Sequence, residues 1–221
     1  MDIYEDAAQA LGSKFKGQYA GTFGKAACIS FYPAKILGCL GDGGLVLTSD
    51  REIYDKLLLL RDHGRANDGD ISLWGFNTRL DNLQAAFLNF QFDNYDQIIK
   101  RRREIAAQYQ EFLKDVDQIQ LPPDADANSD YFDVYQNYEI EAQQRDKLKG
   151  FLAENGIGTL IQWGGKAVHQ FTKLGFDYAL PYTEKVFTRL LMLPLNMSIT
   201  DTEVNYVAEK ISEFYRKKSK I

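Results

Sequence analysis

Two short apolar runs, residues 27–32 and 45–48, constrain this chain more than any other feature. Each is too short for a buried helix and lies between turn-forming residues, so each reads as a strand. Gly41, Gly43 and Gly44 punctuate the stretch before the second run and make it a glycine-rich loop. The second run passes directly into Ser49-Asp50-Arg51-Glu52, a capping-box pattern with Ser49 as the expected N-cap and Glu52 reaching back. Ile53, Leu57 and Leu60 then recur at helical spacing, so a helix is expected to about Asp62. Strand, loop, strand, helix is the vocabulary of an α/β protein. Ile3-Tyr4 looks like a strand already under way, and two or three strands make a thin α/β layer. The expectation is the later part of a larger fold.

Downstream, residues 64–70 read as an exposed polar loop. Leu80, Leu83, Phe87 and Phe90 mark one face of a helix starting near Arg79, and a long charged helix is expected from about Asp96 to Lys114. Arg101-Arg102-Arg103 within it reads as a solvated helix face. Lys plus Arg number 26 against 31 Asp plus Glu, a net charge of −5, so nucleic acid is not an expected partner. Residues 122–130 read as a surface connection. Beyond them the pattern predicts a strand over 134–140, a helix over 144–154 closed by Asn155-Gly156, a strand over 157–163 and a short helix over 183–192. A last helix is expected over 200–217, capped by Thr200 and Glu203, with Val204, Val207, Ile211 and Phe214 inward. No apolar stretch approaches the roughly 18 residues of a membrane span. No signal peptide opens the chain, Cys28 and Cys39 make no disulfide framework, and His63 and His169 are too few for a His-rich metal site. A cytoplasmic protein without membrane contact or bound metal is expected.

Five features bear on chemistry. In E-D-A-A-Q-A (5–10), Asp6 ends a short strand, where α/β proteins place ligand contacts, although on this stretch alone capping of a following helix is the favoured reading. In S-F-Y-P-A-K (30–35), Lys35 lies just past a strand among apolar neighbours. Desolvation favours a neutral amine that can form a Schiff base; the alternative is a surface lysine lying over its neighbours. G-D-G-G (41–44) matches neither a P-loop nor a dinucleotide fingerprint and reads as a tight turn. In G-F-N-T-R-L-D (75–81), Asn77 and Arg79 can present donors to an anion at a helix start, or simply cap the helix. His169 follows Gly164-Gly165-Lys166; a lone histidine is more often a structural donor than a catalyst.

Together and in this order, E-D-A-A-Q-A, S-F-Y-P-A-K with the following L-G-C-L-G-D-G-G, and G-F-N-T-R-L-D-N-L-Q-A-A resemble the DegT/DnrJ/EryC1/StrS family of pyridoxal-phosphate-dependent sugar aminotransferases. G-I-G-T-L-I-Q-W and L-M-L-P-L-N extend the resemblance along the chain. It implies the C-terminal part of an aspartate-aminotransferase-like, fold type I α/β architecture with a smaller α+β C-terminal domain. Residues 1–100 would be a remnant of the cofactor-binding large domain, and 101–221 the small domain with its linking helix. It also implies roles. Lys35 would hold pyridoxal 5'-phosphate, Asp6 would pair with the ring nitrogen, Gln9 would sit by the phenolic oxygen and Ser30 would contact the phosphate. Asn77 would reach the cofactor of a neighbouring subunit in a homodimer with shared active sites. His169 and Arg79 would lie on the substrate side. The substrates would be glutamate and a nucleotide-linked 3-keto or 4-keto deoxysugar, in amino sugar biosynthesis. A dehydratase branch carries histidine at the lysine position, and Lys35 argues against it.

The family's upstream half of the cofactor domain, with its phosphate-binding turn and ring-stacking aromatic residue, has no counterpart in this sequence. The expectation is therefore a truncated chain that by itself binds the cofactor weakly or not at all. The rivals are a catalytically inactive or regulatory chain of the same family and a nucleotide binder that uses the glycine-rich loop.

Overall fold

The structure is a computed structural model that describes residues 1–125 and 128–216. It divides into two compact units, one of Met1–Ile99 with Asn128–Gln136, the other of Lys100–Ala127 with Asn137–Ile221.

The first unit is built on a three-stranded sheet. β1 (Tyr4–Asp6) runs parallel to β4 (Ala26–Ser30), and β4 runs antiparallel to β5 (Gly44–Thr48), in the order β1-β4-β5. Ala26, Ala27 and Ile29 of β4 are buried, whereas Leu45, Val46 and Leu47 of β5 remain exposed. A second small sheet joins β2 (Lys14–Phe15), β3 (Gln18–Tyr19) and β7 (Tyr131–Phe132). The core gathers Ile29, Phe31, Ile36, Leu88, Tyr95 and Val134.

Helix α1 (Arg51–Leu60) follows β5 as expected, but its N-cap is Asp50, not Ser49. Asp50 Oδ1 accepts from the N–H groups of Glu52 (2.9 Å) and Ile53 (3.2 Å). Thr48 Oγ1 accepts from Asp50 N–H at 3.0 Å and sets the turn one residue later. Helix α2 (Asn82–Phe92) starts after Arg79, because residues 76–78 run beside 60–62: Phe76 N–H donates to Leu60 O and Thr78 N–H to Arg61 O. The stripe Leu83 and Phe90 points outward, at 75% and 70% exposure, while Leu88 is buried. Helix α3 (Tyr95–Leu113) follows, and the division between the units falls within it.

The second unit carries the antiparallel sheet β6 (Ile119–Gln120), β8 (Tyr138–Ala142) and β9 (Leu190–Leu193). Its core includes Ile105, Tyr109, Ile140, Leu148, Leu191 and Ile211. Helix α4 (Arg145–Glu154) ends at Asn155 as expected. Helix α6 (Asp201–Arg216) buries Val204, Val207, Ile211 and Phe214; Glu203 Oε2 accepts from Thr200 N–H at 2.8 Å, the expected cap. The expected end of that helix at Lys217, and residues 126 and 127 of the expected connection, lie outside the described residues.

Four further expectations are corrected. The strand over 134–140 is broken at Tyr135, whose φ of 51° is left-handed, and β8 starts at Tyr138. The strand over 157–163 is a single bridge, Leu160 to Met192, ended by left-handed Trp163 and Gly164 in a 3₁₀ turn. The helix over 183–192 is α5 (Pro181–Phe187) followed by β9, because residues 190–193 pair with β8. The arginine triplet is not a solvated face: Arg102 is buried, and Arg101 binds Asp201 Oδ1 (2.7 Å) and Ile199 O (2.9 Å), so Arg101 ties α3 to the start of α6. Among the described residues no helix is long and apolar enough to cross a membrane.

Candidate active site

Parallel pairing sets the geometry. Asp6 lies opposite Cys28, so the C-terminal ends of β1 and β4 fall at the same edge of the sheet. Ser30 is the last residue of β4, and the loop after it carries Lys35. Asp6, Ser30 and Lys35 thus come to one C-terminal edge, where ligands of α/β sheets bind.

Asp6 ends β1 in a turn. Its Oδ1 accepts from Ala8 N–H at 3.2 Å, and Ala7 N–H donates to Cys28 O at 3.0 Å. No helix follows, so Asp6 is not a helix cap. The carboxylate is exposed, since β1 has a strand partner on one side alone among the described residues. Gln9 follows on the same exposed turn. Ser30 is half-buried and its Oγ accepts from Tyr32 N–H at 3.2 Å.

Sequence reasoning missed Glu5. Its Oε2 accepts from Gly21 N–H (2.7 Å), and its Oε1 from Phe23 (2.6 Å) and Gly24 (2.7 Å). Burial pushes its carboxyl up, but the N–H groups of Gly24, Gly21 and Phe23 outweigh this and hold it below the usual range. Gly24 passes so close to β1 that a Cβ there would overlap Ile3 O. One carboxylate thus clasps the segment between β3 and β4 to the strand carrying Asp6. The readable signal was the pair Gly21 and Gly24.

The lysine loop spans residues 31–43. Lys35 N–H donates to Tyr32 O (2.8 Å), Cys39 N–H to Phe31 O (2.8 Å) and Phe31 N–H to Gly43 O (2.8 Å). Ile36 and Leu37 are buried, while Lys35 is half-buried rather than enclosed. The loop is longer than a tight turn, and its glycines serve packing: a Cβ on Gly43 would sit 2.6 Å from Cys39 Sγ. Three glutamines also hold it. Gln84 Oε1 accepts from Leu40 N–H, Gln91 Nε2 donates to Gly38 O, and Gln136 engages Ala34 and Ile36.

Asn77 and Arg79 are not at a helix N-terminus, since α2 starts at Asn82. Asn77 is exposed and bridges Asp62 through its backbone; the Arg79 guanidinium binds the Asp62 carboxylate. That ion pair makes Arg79 a tether for the loop. His169 belongs to the second unit. It is buried, with Nε2 3.1 Å from Glu184 Oε1, and an ionised carboxylate accepts, so Nε2 carries the proton. The Leu180 N–H, and then His169, hold the Glu184 carboxyl below its usual range. His169 is a structural donor to α5 in this arrangement. A groove of about 450 Å³ in the same unit, lined by Gly158, Asn196 and Tyr206 among others, contains none of the predicted site residues.

The DegT/DnrJ/EryC1/StrS aminotransferase family matches residues 1–212. A pleiotropic regulatory protein of Geobacillus stearothermophilus is 38% identical over 97% of this chain and 58% of its own length. A UDP-N-acetyl-3-dehydro-alpha-D-glucosamine 3-aminotransferase of Acidithiobacillus ferrooxidans is 34% identical over 96% of this chain and 56% of its own. The crystal structure of a DegT DnrJ EryC1 StrS aminotransferase from Brucella abortus superposes with a TM-score of 0.89 at 33% identity, covering 97% of this chain and 57% of that one. The chain therefore spans less than three fifths of the length of each of these relatives. The mixed α/β fold is that of fold type I aminotransferases, in the part expected. This chain belongs to the DegT/DnrJ/EryC1/StrS aminotransferase family.

Proposed function

We propose that the chain serves a pyridoxal-phosphate-dependent sugar aminotransferase, with Lys35, Asp6 and Ser30 as its cofactor residues. The observation that carries this reading is the meeting of an amine, a carboxylate and a hydroxyl at one C-terminal sheet edge. That donor set fits the group: an amine for its aldehyde, an anion for its ring nitrogen and a hydroxyl for its phosphate. When bound, the cofactor supplies an electron sink for the substrate carbon.

The chain's residues then have distinct tasks. The Asp6 carboxylate would hold the proton on the ring nitrogen, Gln9 would sit by the phenolic oxygen, and Ser30 Oγ would donate to the phosphate. Lys35 Nζ would anchor the cofactor through its aldehyde and would be the base that moves the proton at the substrate carbon. The name of the Acidithiobacillus relative supports a nucleotide-linked sugar with its ketone at position 3 as the acceptor; glutamate is the amino donor in this reading. A homodimer in which Asn77 serves the neighbour's site is supported by the exposed aromatics beside it, Trp74 at 97% and Phe76 at 66%. The name of the Geobacillus relative favours a second reading, a regulatory chain without turnover.

The test is borohydride reduction in the presence of excess pyridoxal phosphate, followed by addition of glutamate to an unreduced sample. Label on Lys35 and glutamate-dependent loss of the visible band support the aminotransferase. Label on Lys35 without any response to glutamate supports the regulatory reading.

A further inference from the structure

Two backbone groups flank Lys35, the Ala34 carbonyl on one side and the Ile36 N–H on the other. The loop's own turns employ neighbouring groups: Lys35 N–H donates to Tyr32 O and Cys39 N–H to Phe31 O. Past the lysine, Ile36 and Leu37 are drawn into the core at 8% and 4% exposure. The Ile36 N–H in such a place is costly to leave without a partner, whereas Ala34 is exposed. One side chain meets both: Gln136 Oε1 accepts from Ile36 N–H at 2.8 Å, and Gln136 Nε2 donates to Ala34 O at 2.9 Å. An amide carries acceptor and donor on one planar head, so it grips the two groups as an adjacent strand would. The grip has a firm base, since Val134 and Tyr135, immediately before Gln136, are buried. Gln84 and Gln91 hold Leu40 and Gly38 further along, but Gln136 alone among these three bonds the residues adjacent to Lys35.

We propose that Gln136 is the positioning residue of Lys35: its amide fixes the backbone on both sides of the lysine and so sets where Nζ can reach. This rests on Lys35 as the cofactor lysine. Gln136 acts through the backbone and needs no contact with cofactor or substrate.

Three substitutions take the grip apart. Gln136→Met keeps the length and removes both bonds. Gln136→Glu turns a carboxylate oxygen on the Ala34 carbonyl, and that repulsion drives the head away from both backbone groups until the carboxyl is protonated. Gln136→Asn is the conservative variant, one methylene short. In the full chain, hydrogen exchange reads the Ile36 amide, and borohydride trapping of pyridoxal phosphate gives the ratio of label on Lys35 to label on Lys25. Gln136→Met should raise Ile36 exchange about tenfold and lower the Lys35 to Lys25 ratio about tenfold, with Gln136→Asn in between. In Gln136→Glu, Ile36 protection should return as pH falls through the carboxylate range of about 4–5, because a protonated carboxyl, like an amide, offers one donor and one acceptor.

Unchanged Ile36 exchange in Gln136→Met overturns the clamp. Faster exchange with an unchanged labelling ratio overturns the positioning role. If Gln136→Met does not fold, the pH response of Gln136→Glu decides: recovery at low pH supports the proposal, and its absence overturns it. Label on another lysine in the unsubstituted chain refutes the cofactor reading instead, while Ile36 exchange still reads the clamp.

Discussion

Replacing Glu5 by glutamine is expected to loosen the strand that carries Asp6. The carboxylate takes three N–H groups, two on Oε1 and one on Oε2. A glutamine has one acceptor oxygen. It keeps the pair from Phe23 and Gly24 and turns its own N–H groups on Gly21 N–H. One hydrogen bond to a charged group is lost, about 1.5–3 kcal/mol, and the two retained bonds lose their charge assistance. For a chain of this size about 2–4 °C of melting temperature accompanies each kcal/mol, so a drop of roughly 3–12 °C is expected at pH 7. The pH dependence has a definite sign. The folded-state carboxyl lies below its unfolded value, so its contribution is fully present above the ordinary carboxylate range and is lost as pH falls through the folded value. The melting temperatures of the two proteins should therefore converge below about pH 4. Thermal unfolding followed at several pH values, with hydrogen exchange of residues 20–25, is the assay. Equal melting temperatures at pH 7, or a gap that persists unchanged into acid, would refute the clasp.

Three further outcomes follow from the same geometry. Asp6→Asn should weaken pyridoxal phosphate binding about tenfold, since loss of one pKa unit of support for the ring proton is about 1.4 kcal/mol; a cofactor titration with unchanged affinity assigns that task to another group. Tyr109→Phe should cost about 1–3 kcal/mol in denaturant unfolding, because the Tyr109 hydroxyl donates to Pro194 O at 2.8 Å from a fully buried ring; a smaller loss means the carbonyl finds another donor. The exposed β5 residues and the outward Leu83 and Phe90 predict that the chain associates in solution; a monodisperse monomer by light scattering contradicts this.

The parts of the fold legible in sequence are those decided locally. Residues 27–32 and 45–48 gave β4 and β5 because short apolar runs between turn formers have few alternatives, and Thr200 with Glu203 announced α6 through adjacent bonds. The misread parts were decided at a distance. Residues 190–193 suit a helix or a strand, and pairing with β8 chose the strand. Tyr135 carries no sign of a left-handed backbone, yet its φ of 51° interrupts the strand expected over 134–140. Arg102 is buried by neighbours that no local pattern announces. The site divides in the same way. Asp6 and Lys35 were legible at strand ends, Ser30 came from the family resemblance alone, and parallel pairing brings the ends of β1 and β4 together. Glu5 and Gln136 were not, since their partners are backbone groups 16 to 19 and 100 to 102 residues away, and any sequence offers those.

The central claim is that Lys35 is the lysine that carries pyridoxal phosphate. Incubation of the full chain with excess cofactor, borohydride reduction and peptide mapping tests it most directly, since reduction captures even weak binding. The account predicts label concentrated on the peptide containing Lys35. Label on Lys25 or Lys166, or label spread evenly as in a denatured control, would contradict it.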